Sequence, residues 1–144
     1  MVLSSSAFEN NGIIPSEYTC DGSNVSPPLT ITNVPKNTQS FALIVDDPDA
    51  PRGTVTHWTV WNIPIQKSQF TKGEKIDFPQ GITVFGTTGY GGPCPPSGTH
   101  RYFFKLYSLD SMLELDNGST KENLLQAMNG HILEQATLIG KYSR

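Results

Sequence analysis

The sequence predicts a mainly β fold: a sandwich with one or two peripheral helices near the C-terminus. Three observations lead there. Apolar, β-branched and aromatic runs recur between turn signals. Glycine (13) and proline (11) are abundant in a chain of 144 residues. Only one stretch, close to the C-terminus, shows clear helical periodicity.

Taken in order, Leu29-Thr30-Ile31-Thr32 follows Pro27-Pro28 and reads as a short strand. Phe41 to Val45 is a continuous apolar run, the pattern of a strand covered on both faces. Thr54 to Ile63, rich in Thr, Val and Trp, follows the turn signal Pro51-Arg52-Gly53. Ile82 to Phe85 reads as a short strand ending in glycine. Tyr102 to Leu109 carries apolar residues on both faces, as a central strand would. Ser119-Thr120-Lys121-Glu122 matches a capping box ahead of an apolar stripe of Leu124, Leu125 and Met128. Asn129-Gly130 ends this helix, or His131 to Gln135 prolong it. Thr137 to Tyr142 reads as a last strand.

Composition bounds the function. The length suits one domain, residues 1–144, with a sizeable core. No apolar run approaches the ~18 residues of a membrane-spanning helix, and no signal peptide is visible at the N-terminus. Ten Lys and Arg against 13 Asp and Glu give a net charge of -3. The densest basic stretch, Lys67 to Lys75, is broken by Glu74, so nucleic acid is excluded as an expected partner. Two distant cysteines make neither a disulfide framework nor a zinc motif. These features point to a soluble, cytoplasmic chain.

Three segments carry chemistry. Asp46-Asp47-Pro48-Asp49-Ala50-Pro51 follows directly on the buried run. The prolines favour extended backbone before them, and in extended chain residues two apart share a side. Asp47 and Asp49 are therefore expected to face one pocket, with Asp46 facing away; the alternative is a polar turn capped by aspartates. His57 lies within a strand and, by strict alternation, shares a side with Val55, Thr59, Trp61 and Ile63. It is either a hydrogen-bonded core histidine or a site residue. From Gly86 to Gly98, eight of thirteen residues are Gly or Pro, and this loop delivers His100 and Tyr102 to one face, with Arg101 on the other. Glycine amides can bind an anion, but the Gly-Lys-Ser/Thr ending of a nucleotide loop is missing. A structural loop without ligand is the alternative.

Together these segments resemble the phosphatidylethanolamine-binding proteins, which include Raf kinase inhibitor protein. The resemblance rests on Asp47-Pro48-Asp49-Ala50-Pro51, on His57, and on Gly92-Pro93-Cys94-Pro95-Pro96-Ser97-Gly98-Thr99-His100-Arg101-Tyr102. Tyr18 to Gly22, Ser26 to Leu29, Gly130 to Leu133 and Leu138 to Tyr142 extend it over nearly the whole chain, and the last two segments resemble the compact bacterial and archaeal branch. One departure is Pro28-Leu29-Thr30-Ile31, where many bacterial members continue Pro-Pro-Leu-Ser-Trp. It lies outside the pocket motif and reads as a packing change.

The resemblance implies a large antiparallel sheet packed on a smaller one, and a small surface pocket for a phosphate-type anion. It implies ligand-binding roles for Asp47, Asp49, Pro51, His57, Cys94, Pro95, Pro96, His100 and Tyr102. It implies no cofactor and no metal, and a binding or regulatory protein whose partners are a small phosphate-containing ligand and a protein kinase or protease. A homodimer is also expected, with Trp58 and Trp61 offering aromatic surface. Anion binding is expected to strengthen from about pH 8 to 6 through histidine protonation. The rival reading is a hydrolase or metal-dependent enzyme using the Asp/His cluster, or Cys94 as nucleophile beside His100. Against it, neither H-E-x-x-H nor Gly-x-Ser-x-Gly is present. Cys20 and Cys94 both sit in loops that resemble family segments, and some prokaryotic members carry Cys at both positions, so the resemblance leaves open a bridge closing a long loop; in a reducing cytoplasm free thiols are the expectation.

Overall fold

The computed structural model describes residues 1–144. Eight strands form two sheets: β1 (Val2–Ser4), β2 (Gly12–Ile13), β3 (Leu29–Thr32), β4 (Ser40–Asp47), β5 (Val55–Ile63), β6 (Gln69–Phe70), β7 (Thr99–Leu109) and β8 (Ile132–Ser143). The small sheet has the order β1-β3-β6 and the large sheet β2-β8-β7-β4-β5. All pairs are antiparallel except the short edge pair β2–β8, which is parallel.

The alternation of side chains along β4 builds two cores. Phe41, Leu43 and Val45 face the small sheet and pack with Leu3, Ile31, Phe70, Tyr102, Phe104 and Leu106. Ala42 and Ile44 face the other way, onto Trp61, Tyr107, Leu109, Leu124 and Met128. Every residue of β4 is buried, because it is hydrogen-bonded on both edges and covered on both faces. The apolar run of the sequence has this cause.

The second core is roofed by α1 (Lys121–Met128), which buries Leu124 and Met128, one turn apart. Leu125 stays exposed on the outer face. The capping box sits one residue later than the sequence motif: Thr120 Oγ1 accepts from the Asn123 amide and Asn123 Oδ1 accepts from the Thr120 amide. Ser119 Oγ instead donates to the Asp116 carbonyl. There is no second C-terminal helix. Gly130, at φ 83°, turns the chain after α1, and residues 132–143 form the long strand β8. Ile82 to Phe85 is not a strand either; only Ile82 bridges to Thr88.

Strand β5 breaks strict alternation. Val45 pairs with Trp58 but Asp46 pairs with Thr56, leaving His57 as an extra residue in a bulge. A second irregularity lies between the Phe41–Ile63 and Leu43–Val60 pairs. As a result His57 does not share a side with Trp61. His57 packs against Tyr102, while Trp61 lies under α1. Trp58 and Trp61 are both fully buried, so neither offers surface to a second copy.

Cys20 and Cys94 form a disulfide, the alternative to the free thiols expected in a reducing cytoplasm, and no free cysteine remains. The fold brings them together because the 86–98 loop lies along residues 18–24. The Cys20 amide donates to the Pro93 carbonyl, the Gly92 amide to Asn24 Oδ1, and the Tyr90 hydroxyl to the Tyr18 carbonyl. Disulfides persist in oxidising compartments and inside hyperthermophilic cells, and either setting accommodates this bond. The two cysteines lie 74 residues apart, so the chain-entropy model puts the stabilisation at about 4 kcal/mol. Denatured, unreduced protein should therefore show no titratable thiol. A Cys20→Ser/Cys94→Ser double variant should unfold about 2–4 kcal/mol more easily in urea; unchanged stability would refute the entropic role.

A candidate anion site at the end of the central strands

The candidate site forms where β4, β5 and β7 end beside the Gly/Pro-rich loop. Asp47 is the last residue of β4, His57 sits in the β5 bulge, and His100 and Tyr102 lie two apart on β7. Pro51 follows β4, and Cys94, Pro95 and Pro96 come from the loop. With Ala50, Val55, Val84 and Phe85, these residues line a cavity of about 170 Å³.

Asp47 and His100 form a buried pair, with His100 Nδ1 donating to Asp47 Oδ2 at 2.7 Å. His57 Nδ1 donates to the Gly91 carbonyl at 2.8 Å; a carbonyl only accepts, so this nitrogen carries the proton. Each ring is thus held by Nδ1, so that Nε2 of a neutral ring is an acceptor and becomes a donor only on protonation. Burial lowers the His57 pKa, more strongly than the Gly91 hydrogen bond and the Asp47 charge raise it. His57 is therefore neutral at pH 7.

Tyr102 lies between the two rings, edge-on to His57 at 5.2 Å and stacked with His100 at 6.5 Å. Its hydroxyl is buried with no partner. Burial, and then the Asp47 charge, raise its pKa well above the ordinary phenol value, so it remains an O–H donor. Phe85 closes one side, edge-on to His57 at 5.4 Å. It can do so because residue 91 is glycine; a Cβ there would strike the Phe85 ring.

Two expectations change. Asp49 does not line the cavity. It is held outside by Arg101, whose Nε and Nη2 donate to its carboxylate at 2.8 Å each, and whose amide donates at 2.9 Å. Arg101 and His100 point to opposite faces of β7, and each takes one aspartate with it. The glycine amides also do not form an anion cradle. Those of Gly86, Gly91, Gly92 and Gly98 already donate to Thr83 O, His57 O, Asn24 Oδ1 and Arg144 O. The cavity offers the Tyr102 hydroxyl as a donor instead. Cys94 lines it as half of a disulfide, so it has no thiolate to act as nucleophile. No three His, Cys, Asp or Glu side chains are grouped to hold a metal ion.

Comparison with known proteins agrees with this fold. The family model described as phosphatidylethanolamine-binding protein matches residues 4–143. The chain belongs to the phosphatidylethanolamine-binding protein family. Within it, a UPF0098 protein of Methanothermobacter thermautotrophicus is 51% identical, covering 100% of this chain and 99% of its own. A homologue of the family from Chlamydia trachomatis has a crystal structure that superposes with a TM-score of 0.96 at 43% identity, over 99% and 96% of the two chains. Escherichia coli YbcL, described as a new member of the mammalian family, gives 0.91 at 30% identity, over 99% and 98%. The two-sheet sandwich is thus the family fold. No helix of this chain is long and apolar enough to cross a membrane.

The Arg101–Asp49 pair makes a testable contribution to stability. Hydrogen bonding to Arg101 holds the Asp49 carboxyl at about 2, below its ordinary 3.8. A depressed carboxyl stabilises the fold above its unfolded value and loses that contribution as pH falls towards the folded one. Asp49→Asn should therefore cost about 1 kcal/mol at pH 7, Arg101 being half exposed. The gap to wild type should close between pH 4 and 2. Thermal melts across pH check this; a gap independent of pH would remove the ionic contribution.

Proposed function

We propose that the chain is a non-enzymatic binding protein that takes a small phosphate-type anion in the Asp47–His57–His100–Tyr102 cavity. The ligand is a phosphomonoester headgroup or a phosphorylated side chain, and a protein partner of the kinase or protease class would be engaged through such a group. The observation that carries the reading is the buried, unpartnered Tyr102 hydroxyl. It stands beside two imidazoles whose Nε2 atoms are free. A buried donor without a partner costs about 1–3 kcal/mol, and an anion oxygen would recover it.

Charge fits better here than the sequence suggested. One carboxylate lines the cavity instead of two, and that one is engaged by His100. A cavity of about 170 Å³ is below the usual ~300–1,000 Å³ of ligand pockets. It admits a headgroup and leaves acyl chains outside.

A second reading follows from the Asp47–His100 pair, whose free Nε2 is placed as in a general base. It would make the protein a hydrolase of a small ester. The intact disulfide removes Cys94 as its nucleophile, so water would have to serve.

Calorimetric titration with sulfate and with O-phosphoethanolamine tests the proposal, sulfate having no proton to exchange in this range. Affinity should rise as pH falls, with the His57 contribution arriving only below its ordinary 6.5 because burial depresses it. This places the transition lower than the window of about pH 8 to 6 expected from sequence. Tyr102→Phe should weaken binding about tenfold or more. Absence of binding, or affinity indifferent to Tyr102, would sink the anion site. Ester or phosphate-ester turnover that disappears in His100→Ala would establish the enzyme.

A further inference from the structure

A second cavity lies on the opposite face of the same strand ends. Side chains alternate along β4 and β7, so Asp46, Arg101, Phe103 and Lys105 point away from the first site. Together with Pro48, Thr54 and Lys121 they line a cavity of about 300 Å³. Phe103 provides an aromatic wall, with the Arg101 guanidinium 5.4 Å and the Lys105 ammonium 5.9 Å from its ring centre.

Three cations converge here, and their donors are only partly used. Lys121 Nζ donates to Asp46 Oδ2 at 2.7 Å, leaving two of its three hydrogens. Lys105 Nζ is 3.7 Å from the same oxygen, too far for a good hydrogen bond. Arg101 uses Nε and Nη2 on Asp49 and keeps Nη1 free. Counting Asp46 and Asp49 as ionised, three positive charges meet two negative ones, so the cavity keeps a net charge of about +1. The other carboxylate oxygen, Asp46 Oδ1, is buried with no partner. An unpaired buried acceptor calls for a donor, at a cost of about 1–3 kcal/mol when none is present.

These two demands specify one kind of ligand. An anionic group suits Lys105, Lys121 and Arg101, and a hydroxyl on the same molecule suits Asp46 Oδ1. A neighbouring depression shares Thr54 and Lys121 with this cavity and adds Thr56, Thr83, Thr120 and the Glu122 carboxylate, so further hydroxyls would meet a threonine-rich surface whose one carboxylate accepts from hydroxyls and disfavours a second anionic group. We propose that this face is a second binding site, for a small hydroxylated organic anion of the sugar-phosphate or hydroxy-acid class. The two sites stand back to back across β4, one beside Asp47 and the other beside Asp46.

Because both sites accept anions, the test must tell them apart. Amide NMR shifts are followed during titration of the whole protein with glycerol 3-phosphate, against sodium chloride at matched ionic strength. Saturable shifts are expected at Arg101, Phe103 and Lys105 and at residues 120–122, which line or adjoin this cavity. They should persist in His100→Ala, which disables the first site alone. Lys105→Gln, at a partly exposed position that leaves the Lys121–Asp46 pair intact, should weaken this response at least fivefold. It should spare shifts around His57 and Tyr102. The wild-type titration stands by itself should the variant fold poorly. Shifts confined to the His57–His100 cavity, a response that chloride reproduces, or indifference of a folded Lys105→Gln variant would each overturn the second site. The response at Lys105 and Lys121 is read separately from that at His57 and His100, so failure of the first site leaves this test standing.

Discussion

The architecture depends on one constraint: β4 is buried on both faces and ends in two adjacent carboxylates. Apolar burial on each side holds the sandwich and the helix together. A charge at the end of such a strand must find its partner on its own face or raise its pKa until it is neutral. Asp46 and Asp47 point to opposite faces and solve this separately. Asp46 takes Lys121 from the start of α1 and Lys105 from β7. Asp47 takes His100 from the same strand β7. The polar end of the central strand thereby fixes where the helix begins and which histidine enters the candidate site.

The remaining parts of the site are held by the loop that covers it. Gly91 lies against the Phe85 ring and its carbonyl sets the His57 tautomer. The same loop is fastened to residues 18–24 by backbone bonds, by Tyr90 and by the disulfide. Gly91 and Gly92 are required by close packing, against Phe85 and against residues 18–24, whereas Gly86, Gly89 and Gly98 serve turns at positive φ. The amides of Gly86, Gly91, Gly92 and Gly98 donate within the protein and are not left for a ligand. A site built this way has rigid walls, which lowers the ordering cost of binding a small ion.

Much of this was legible in the sequence. The apolar runs located β4 and the core of β7, because a strand covered on both faces has no polar alternation to obscure it. The Leu124/Met128 spacing located α1. The pocket motif marked Asp47, His57, His100 and Tyr102 correctly as neighbours. What escaped is what local pattern does not encode. Strands of two or three residues, such as β2 and β6, are too short to show a period. The bulge at His57 follows from how β5 pairs with β4, so alternation put His57 on the wrong side of Trp61. Asp49 was misplaced for a related reason: two residues after Asp47 the chain has left β4, and a bidentate arginine, Arg101, directly before Tyr102 on β7, was there to claim it. The Arg101 alternation was visible, but its partner was not. The disulfide depended on contact across 74 residues, which composition cannot report.

The division of carboxylates between faces also decides what each face can bind. On the Asp47 side the carboxylate is engaged by His100, the added donor is the Tyr102 phenol, and neutral His57 presents an acceptor at Nε2 until it is protonated. An anion arriving there gains most when it brings or recruits a proton, so its binding is coupled to pH. On the Asp46 side the cations are lysines and an arginine, which stay charged across the physiological range. An anion there needs no proton, and its binding falls with salt instead. Two anion-accepting faces on one pair of strands would then answer to different variables. The cause is simply that neighbouring residues of a strand point in opposite directions.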